Sequence, residues 1–268
     1  MRRLLALGLM LLALPVLAAV QGKEVTYQGG GVTMKGYLAW DDAIQGRRPG
    51  VLVVHEWWGH DDYARKRARM LAQAGYVALA LDMYGNGRHA EHPDTAEAYT
   101  REVTQNPEQA AQRFEAAMQV LRQDTYTDPA RIAAIGYCFG GGVVLNMARR
   151  AEPLKAAISV HGGLDAWQPV KSGAIKARIL VLNAGEDRMV PPAAVHKFEQ
   201  EMKAAGADFQ IVNYPGVLHG FSNPAADDYA KRFKLPVAYD AKADQDSWQR
   251  ILTFLQQVFT THTQPAGA

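Results

Sequence analysis

The chain has 268 residues, of which 48% are hydrophobic and 21% are charged, the balance of a soluble globular protein with one large core. Its formal net charge is +2, and removing Arg2 and Arg3 from the 29 basic residues leaves as many as the 27 acidic ones. This neutrality argues against nucleic acid or an anionic surface as a partner.

The first 19 residues have the pattern of a secretory signal peptide. Two arginines precede the apolar run Leu4–Leu14, and Pro15–Ala19 ends in small residues suited to cleavage after Ala18 or Ala19. The apolar run is short for a membrane-spanning helix, and no cysteine follows it for lipidation. We therefore predict that the mature protein is periplasmic or secreted, with no membrane partner once the signal is cleaved.

The predicted elements begin with an N-terminal antiparallel hairpin. Glu24–Gln28 and Val32–Trp40 are predicted strands on either side of the turn Gly29–Gly31. Val51–Val54 is a continuous apolar run, typical of a strand covered on both faces, and the polar, bulky segment His55–His60 follows it.

Strands and helices then alternate to the end of the chain. Buried strands are predicted at Tyr76–Leu81, Arg131–Ile135, Ala156–Val160, Ile179–Asn183 and Phe209–Tyr214. Helices are predicted over Asp62–Ala74, after the N-cap Asn106, after Gly141, after Pro191 and over Ala241–Thr260. This alternation predicts an α/β fold with a mainly parallel central sheet and helices on both faces. We predict a single domain over residues 20–263 and a disordered tail over residues 264–268.

Side chains able to carry chemistry follow the carboxyl ends of the predicted strands. They are Glu56, Arg88, Cys138, His161, Asp187 and His219. In mainly parallel sheets, ligands bind beyond the carboxyl ends of the strands. We therefore predict the functional site at that edge of the sheet.

The segment Gly136–Gly140 has the pattern of a nucleophile turn between a strand and a helix, with cysteine where serine is usual. Flanking glycines remove the Cβ atoms that would clash in so tight a turn. The start of the following helix favours a thiolate and then an oxyanion. Cys138 is the only cysteine of the chain, so it has no disulfide partner within it. The alternative for this turn alone is a buried structural thiol.

Cys138, Asp187 and His219 follow one another in the order of nucleophile, acid and histidine that α/β-hydrolases use. In such a triad, the histidine takes the proton of the nucleophile and the carboxylate orients the histidine. Taken alone, Asp187 could cap the helix after Pro191, and His219 could be a surface loop histidine. Their shared order and their positions at strand ends favour the triad.

Two further features of the predicted site depend on the loop after Val51–Val54. The backbone N–H groups of Trp57 and Phe139 are predicted to form the oxyanion hole. Glu56, next to bulky apolar side chains, is expected to be desolvated and to have a raised pKa. A salt bridge between Glu56 and Arg88 or another cation is the alternative.

No metal or cofactor site is predicted. His55, His60, His89 and His92 lack the accompanying cysteine or carboxylate spacing of a metal site, so they are taken to be scattered histidines. The segment Ser222–Asp240 has no assigned role and is either a lid over the site or a connection.

With these motifs the chain resembles the dienelactone hydrolase family of the α/β-hydrolase fold. The resemblance runs from Val25 to Phe259. Its matching segments are His55–Gly59, Asp82–Tyr84, Gly136–Gly141, Gly185–Asp187 with Val190–Pro191, and His219–Phe221. It implies the same triad, with Glu56 contacting the resting thiol and moving when substrate binds. It also implies the same two oxyanion donors and hydrolysis of a small ester or lactone through an acyl-thioester.

The sequence departs from this family at one place. Members that act on dienelactone carry an arginine shortly after the catalytic histidine, which binds the substrate carboxylate, whereas Phe221–Pro224 contains none. Dienelactone itself is therefore disfavoured as the substrate. The residues predicted to contact the substrate are Trp58, Tyr84, Arg88, His161 and Phe221.

Three functions are compatible with the sequence. The first is an exported cysteine-dependent hydrolase of small esters or lactones. The second is a binding domain that keeps the hydrolase fold without turnover, and the third is a redox-active thiol, for which no resolving cysteine is present. The expected partner is a small-molecule substrate, and the expected state is a monomer or a weak homo-oligomer.

Overall fold

The structure of the protein, a computed structural model, describes residues 20–260. The predicted signal peptide and the predicted disordered tail lie outside the described residues. The strands are β1 (Val20–Gly29), β2 (Val32–Asp41), β3 (Arg48–Val54), β4 (Val77–Leu81), β5 (Thr127–Tyr137), β6 (Ala156–Val160), β7 (Arg178–Ala184) and β8 (Phe209–Tyr214). The helices are α1 (Asp62–Gln73), α2 (Pro93–Thr104), α3 (Pro107–Gln123), α4 (Phe139–Arg149), α5 (Pro192–Ala205), α6 (Ala226–Phe233) and α7 (Ala241–Thr260).

The described strands form one eight-stranded sheet in the order β1-β2-β4-β3-β5-β6-β7-β8. β1 pairs antiparallel with β2, and β2 pairs antiparallel with β4. All the other neighbours are parallel. The predicted α/β fold, with its mainly parallel sheet and N-terminal antiparallel hairpin, is confirmed.

The two faces of the sheet bury separate cores because successive side chains of a strand point to opposite sides. In β3, Leu52 belongs to the cluster that contains Phe114 of α3. Its neighbour Val53 belongs to the cluster that contains Leu71 of α1 and Leu255 of α7. Burying a side chain of this kind stabilises the fold by about 2 kcal/mol. Helices therefore cover both faces, as the sequence predicts.

Several elements differ from the sequence prediction. α2 and α6 are not predicted, although each has a short apolar stripe at helical spacing among polar residues: Ala96, Tyr99 and Val103 in α2, and Ala226, Tyr229 and Phe233 in α6. Three strands begin earlier than predicted: β1 at Val20, β3 at Arg48 and β5 at Thr127. The first residues of β5 pair with the start of β3 ahead of a shift in register, so strand pairing and not local periodicity sets these two starts.

The parallel strands bring the predicted site residues to one edge of the sheet. β3, β5, β6, β7 and β8 are consecutive neighbours, so the loops at their carboxyl ends lie side by side. Over residues 20–260 the structure has no helix with the length and apolarity that a membrane crossing requires.

Candidate active site

Cys138 occupies the sharp turn between β5 and α4. The φ of 52° and ψ of −117° at Cys138 are strained for any residue that has a side chain. A Cβ on Gly136 would lie 1.9 Å from the carbonyl oxygen of Gly140, and a Cβ on Gly140 would lie 2.4 Å from the carbonyl oxygen of Val54. The turn therefore accepts only glycine at these two positions and holds the half-buried thiol at the end of β5.

His219 and Asp187 are buried and in contact. Nδ1 of His219 lies 2.7 Å from Oδ2 of Asp187, which favours the tautomer with the proton on Nδ1. The other carboxylate oxygen of Asp187 accepts the backbone N–H of Met189 at 2.8 Å. Nε2 of His219 makes no well-aligned hydrogen bond with any described residue. This nitrogen is therefore free to exchange a proton with a neighbouring group.

The charge state of His219 is coupled to that of Cys138. Burial alone would lower the pKa of His219, but the negative charge of a Cys138 thiolate and the hydrogen bond with Asp187 raise it to about 10. His219 can therefore carry a positive charge at neutral pH, and a cation beside a cysteine favours the nucleophilic thiolate form.

Glu56 follows β3 and is only 4% exposed. Nδ2 of Asn223 donates a hydrogen bond to its Oε2 at 2.5 Å. Burial and the charge of Asp61 raise the pKa of Glu56 to about 7, although the hydrogen bond from Asn223 opposes this shift. The alternative salt bridge to Arg88 is not formed, since Arg88 pairs with Glu102. Glu56 can therefore gain or lose a proton near neutral pH.

The two backbone N–H groups predicted for the oxyanion hole are free. Those of Trp57 and Phe139 donate no hydrogen bond to any residue in the described part of the chain. Phe139 opens α4, where a helix leaves its N–H groups unpaired. Nδ1 of His55 lies 2.6 Å from the carbonyl oxygen of Glu56, in the same peptide unit as the Trp57 N–H. Because the two groups of a trans peptide point in opposite directions, this bond orients the Trp57 donor.

One pocket joins these groups. Cys138, His219, Glu56 and Asn223 line a cavity of about 90 Å³. The rest of its lining is Trp57, Trp58, Met189, Gly220, Ala226, Tyr229, Leu235, Pro236 and Val237. α6 and the segment after it therefore form one wall, which answers the role left open for Ser222–Asp240.

Trp58 lines the pocket, as predicted for a substrate contact, and stacks on Tyr229 with ring centroids 4.3 Å apart. Tyr84 and Arg88 do not line it. The Tyr84 hydroxyl donates to the carbonyl oxygen of Trp57 at 2.9 Å and so supports the loop after β3 from beneath. The Arg88 guanidinium bonds to Glu102 and to the Tyr84 carbonyl. The structure thus gives these two residues supporting roles instead of substrate contact.

His161 and Phe221 also lie behind the pocket instead of lining it. Both are fully buried, and the His161 ring lies 5.0 Å from the His219 ring. Nε2 of His161 is 2.8 Å from Oγ of Ser222, which is 2.6 Å from the Tyr63 hydroxyl. Burial lowers the pKa of His161 well below its usual range. His161 is therefore uncharged and packs behind His219. Contrary to the prediction, the structure does not place it where it could contact the substrate.

The polar network behind His219 continues across the protein. Arg67 of α1 is 3% exposed and donates to the Tyr63 hydroxyl, to the Ser222 carbonyl and to Asp244 of α7. The N–O distance to Asp244 is 2.5 Å. The network therefore ties the histidine loop after β8 to the two helices on one face of the sheet.

The pocket residues beyond the triad loops were missed by sequence reasoning. The residue type of Asn223 gave no signal, because a single asparagine in a loop is common in turns. Its position was an available signal, since Asn223 comes four residues after His219. The stripe of Ala226, Tyr229 and Phe233 in α6 was a second available signal, for the wall that Leu235–Val237 continue.

The histidines near the site are not grouped as metal ligands. His55 uses both ring nitrogens in hydrogen bonds, one with the Glu56 carbonyl and one from the Met83 N–H. His60 is buried, and its burial lowers its pKa to about 3. Over residues 20–260 no three His, Cys, Asp or Glu side chains are arranged to hold a metal ion.

The sequence was compared with known families and proteins. It matches the profile of the dienelactone hydrolase family over residues 34–259. Protein usf of Aquifex pyrophilus is 28% identical over 243 residues, which cover 89% of this chain and 100% of that protein. A protein of Aquifex aeolicus (strain VF5), provisionally named a carboxymethylenebutenolidase, is 27% identical over 239 residues, which cover 88% of this chain and 98% of that protein.

The fold was compared with solved structures. A dienelactone hydrolase-like promiscuous phosphotriesterase, P91 from metagenomic libraries, superposes with a TM-score of 0.83 and 30% sequence identity. The alignment covers 90% of this chain and 99% of P91. The similarity therefore extends over the whole sheet and the loops at its carboxyl edge.

Proposed function

This chain belongs to the dienelactone hydrolase family and hydrolyses ester or lactone bonds, and from that premise we propose that it is an exported enzyme that works through an acyl-thioester on Cys138. The observation that carries the proposal is the buried contact between His219 and Asp187, at 2.7 Å, beside a cysteine on a strained strand–helix turn. Cys138 and His219 line one pocket, and Asp187 orients His219 from behind it.

In the proposed acylation step, Sγ of the Cys138 thiolate attacks the ester carbonyl carbon. The carbonyl oxygen becomes an oxyanion, and the free N–H groups of Trp57 and Phe139 are placed to stabilise it. As the intermediate collapses, the carbon–oxygen bond to the leaving group breaks. The leaving alkoxide takes the proton from Nε2 of His219, which leaves a neutral imidazole and an acyl-thioester.

In the proposed deacylation step, a water molecule attacks the thioester carbonyl. Nε2 of His219 accepts a proton from this water, and Asp187 stabilises the imidazolium that forms. The carbon–sulfur bond then breaks, releasing the carboxylic acid and restoring the Cys138 thiolate. In the absence of substrate, protonated Glu56 is proposed to share its proton with the Cys138 thiolate, because its pKa of about 7 leaves part of Glu56 protonated at neutral pH.

Export is proposed from the sequence alone. The positive, apolar and small-residue regions within residues 1–19 support a cleaved signal peptide. Expression of the full chain in a bacterium with a periplasm, followed by fractionation and N-terminal sequencing, tests this. We expect the periplasmic protein to begin after Ala18 or Ala19, and an uncleaved cytoplasmic protein would contradict export.

The catalytic proposal is tested by stopped-flow hydrolysis of p-nitrophenyl acetate by the wild type and by Cys138→Ala. We expect a burst of p-nitrophenol followed by turnover in the wild type and a loss of at least about 1000-fold in the variant. Mass spectrometry should show an acetyl group on Cys138 during the burst. Equal rates for the two proteins would favour the alternative, a binding domain that keeps the hydrolase fold.

A further inference from the structure

The wall of the pocket has little charge. Its ionisable lining residues are Glu56, Cys138, His219 and Tyr229, and no lysine or arginine belongs to the lining. Of these, His219 is paired with Asp187, which leaves Glu56 as the acidic group without a cationic partner in the lining. A carboxylate on the substrate would meet Glu56 and, among the described residues, no lysine or arginine of the lining.

The cations around the pocket lie outside its lining. Arg67 is buried behind it and bonded to Asp244, and Arg88 is bonded to Glu102. Arg188 and Lys234 are exposed and do not line the pocket. Over residues 20–260 no cationic side chain lines the pocket to compensate a carboxylate on the substrate, and an uncompensated buried charge is strongly unfavourable.

The position nearest to Glu56 is filled by a neutral donor. Asn223 gives one of its N–H groups to Oε2 of Glu56 at 2.5 Å, and its Oδ1 accepts the backbone N–H of Ala225 at 2.9 Å. Its side chain is therefore committed to protein partners on both sides. It satisfies the carboxylate of Glu56 without adding a positive charge to the pocket.

Much of the pocket lining is apolar. Trp58 packs against Tyr229 with ring centroids 4.3 Å apart, and Leu235 belongs to the same cluster. Met189 also lines the pocket and has 56% of its surface exposed, which is unusual for a large apolar side chain. These side chains offer contacts to an apolar chain on the substrate.

We propose that the pocket selects esters whose acyl part is uncharged and apolar, about the size of a short alkyl chain, and rejects esters whose acyl part carries a carboxylate. This inference rests on the hydrolase function proposed above and specifies its substrate class. The apolar wall supplies the affinity, and the absence of a cation beside Glu56 supplies the discrimination.

The test compares phenyl hexanoate with monophenyl adipate, two esters that differ in a terminal methyl group or carboxylate. We expect kcat/KM to be higher for phenyl hexanoate by about 100-fold at pH 8, where Glu56 and the adipate are both ionised. Alkaline hydrolysis without protein corrects for intrinsic reactivity. A ratio near one, or a preference for adipate, would overturn the inference.

A matched pair of variants tests the electrostatic cause. Leu235→Lys adds a cation to the wall, and Leu235→Met keeps an apolar side chain of similar length. We expect the hexanoate-to-adipate ratio to fall about tenfold in the lysine variant and to stay near the wild-type ratio in the methionine variant. Arg188→Ala removes a cation outside the pocket and should leave the ratio unchanged. An equal fall in both Leu235 variants would contradict the electrostatic cause.

Failure of the hydrolase proposal is separable from failure of this inference. Absence of Cys138-dependent turnover of either ester would contradict the hydrolase function alone. Binding of the same two esters to Cys138→Ala is then followed by the fluorescence of Trp57 and Trp58, which line the pocket. Tighter binding of phenyl hexanoate by at least about tenfold supports the inference, and equal or tighter binding of monophenyl adipate overturns it.

Discussion

The buried carboxyl group of Glu56 makes the stability of the protein depend on pH. Its pKa is raised from 4.5 to about 7, so between these values the native state keeps a proton that the unfolded chain has lost. The free energy of unfolding therefore falls as the pH rises through this window and stays lower above it. Glu56→Gln removes this effect while keeping an acceptor for the Asn223 side chain.

We expect Glu56→Gln to gain stability relative to the wild type between pH 5 and pH 8, by on the order of 2 kcal/mol. Urea unfolding at the two pH values measures the difference. Glu91→Gln, at an exposed carboxylate, serves as the control and should show no such gain. A constant difference between wild type and Glu56→Gln at both pH values would mean that this carboxyl group titrates normally in the native protein.

The contact between Asp187 and His219 predicts a second single-residue effect. Asp187→Asn keeps the shape of the side chain but can donate to Nδ1 of His219, which turns the imidazole to the unproductive tautomer. It also removes one of the interactions that raise the pKa of His219. We expect kcat/KM for an activated ester to fall about 1000-fold or more. Glu186→Gln, at the exposed neighbour, is the control, and similar activity of both variants would exclude this role for Asp187.

Some of these residues could be predicted from the sequence and others could not. Asp187 and His219 end strands in a recognisable order, so their contact follows from the topology. The raised pKa of Glu56 follows from its apolar neighbours. The partner of Arg88 did not follow, because Glu102 lies on α2, a helix that is absent from the sequence prediction. The contact between Asn223 and Glu56 could not be predicted either, because the sequence does not show which loops meet across a pocket.

Among the elements, the turn from β5 into α4 depends most on residue size. A Cβ at Gly140 would lie 2.4 Å from the Val54 carbonyl oxygen and 2.6 Å from that of His55, both of which are backbone atoms. α4 would have to move away from β3 to accommodate it. We expect Gly140→Ala to destabilise the protein by about 3 kcal/mol or more and to remove activity.

Gly142→Ala is the matched control for this turn, since its added Cβ would lie 3.4 Å from its nearest neighbour. We expect it to be neutral or slightly stabilising, because alanine is favoured over glycine in a helix by up to about 1 kcal/mol. Thermal unfolding followed by circular dichroism measures both variants. Equal melting temperatures for the two would mean that the turn adapts to a side chain at position 140.

For the elements as a group, the accuracy of sequence prediction depended on burial. The central strands are buried on both faces and appear as continuous apolar runs, and α3 has the predicted stripe through Phe114 and Leu121. α6 has only a short stripe, and the aromatic contacts of its Tyr229 and Phe233 are made with Trp58, which is far away in sequence. Local periodicity carries no information about such a contact.

For the whole molecule, the network centred on Ser222 connects layers that the chain order keeps apart. Its hydroxyl contacts Tyr63 of α1 and His161 after β6. Ser222→Ala would leave two buried polar groups without this partner, and we expect a loss of about 1 to 3 kcal/mol in the free energy of unfolding. Urea unfolding measures it, with the exposed Ser172→Ala as control. A loss below that of the control would mean that water replaces the hydroxyl.

The architecture of the whole molecule was predictable because it depends on the alternation of elements and on the handedness of parallel connections. The strand order explains why the site residues meet, since β3, β5, β7 and β8 all end at the same edge. The shape of the pocket was not predictable, because its outer wall is made by α6 and Leu235–Val237, whose position depends on packing against Trp58.

The same strand order governs how fast an unfolded chain refolds to the active protein. β3 lies between β4 and β5, and the last pair of the sheet joins β7 to β8, so the site needs contacts between parts of the chain that are distant in sequence. Closing such loops is slow compared with forming helices. During refolding from urea, esterase activity should therefore return later than the helical circular dichroism signal. A chain that has folded only as far as α4 would hold Cys138 but not His219, the base that activates it. Such a chain would have no esterase activity until β8 joins the sheet.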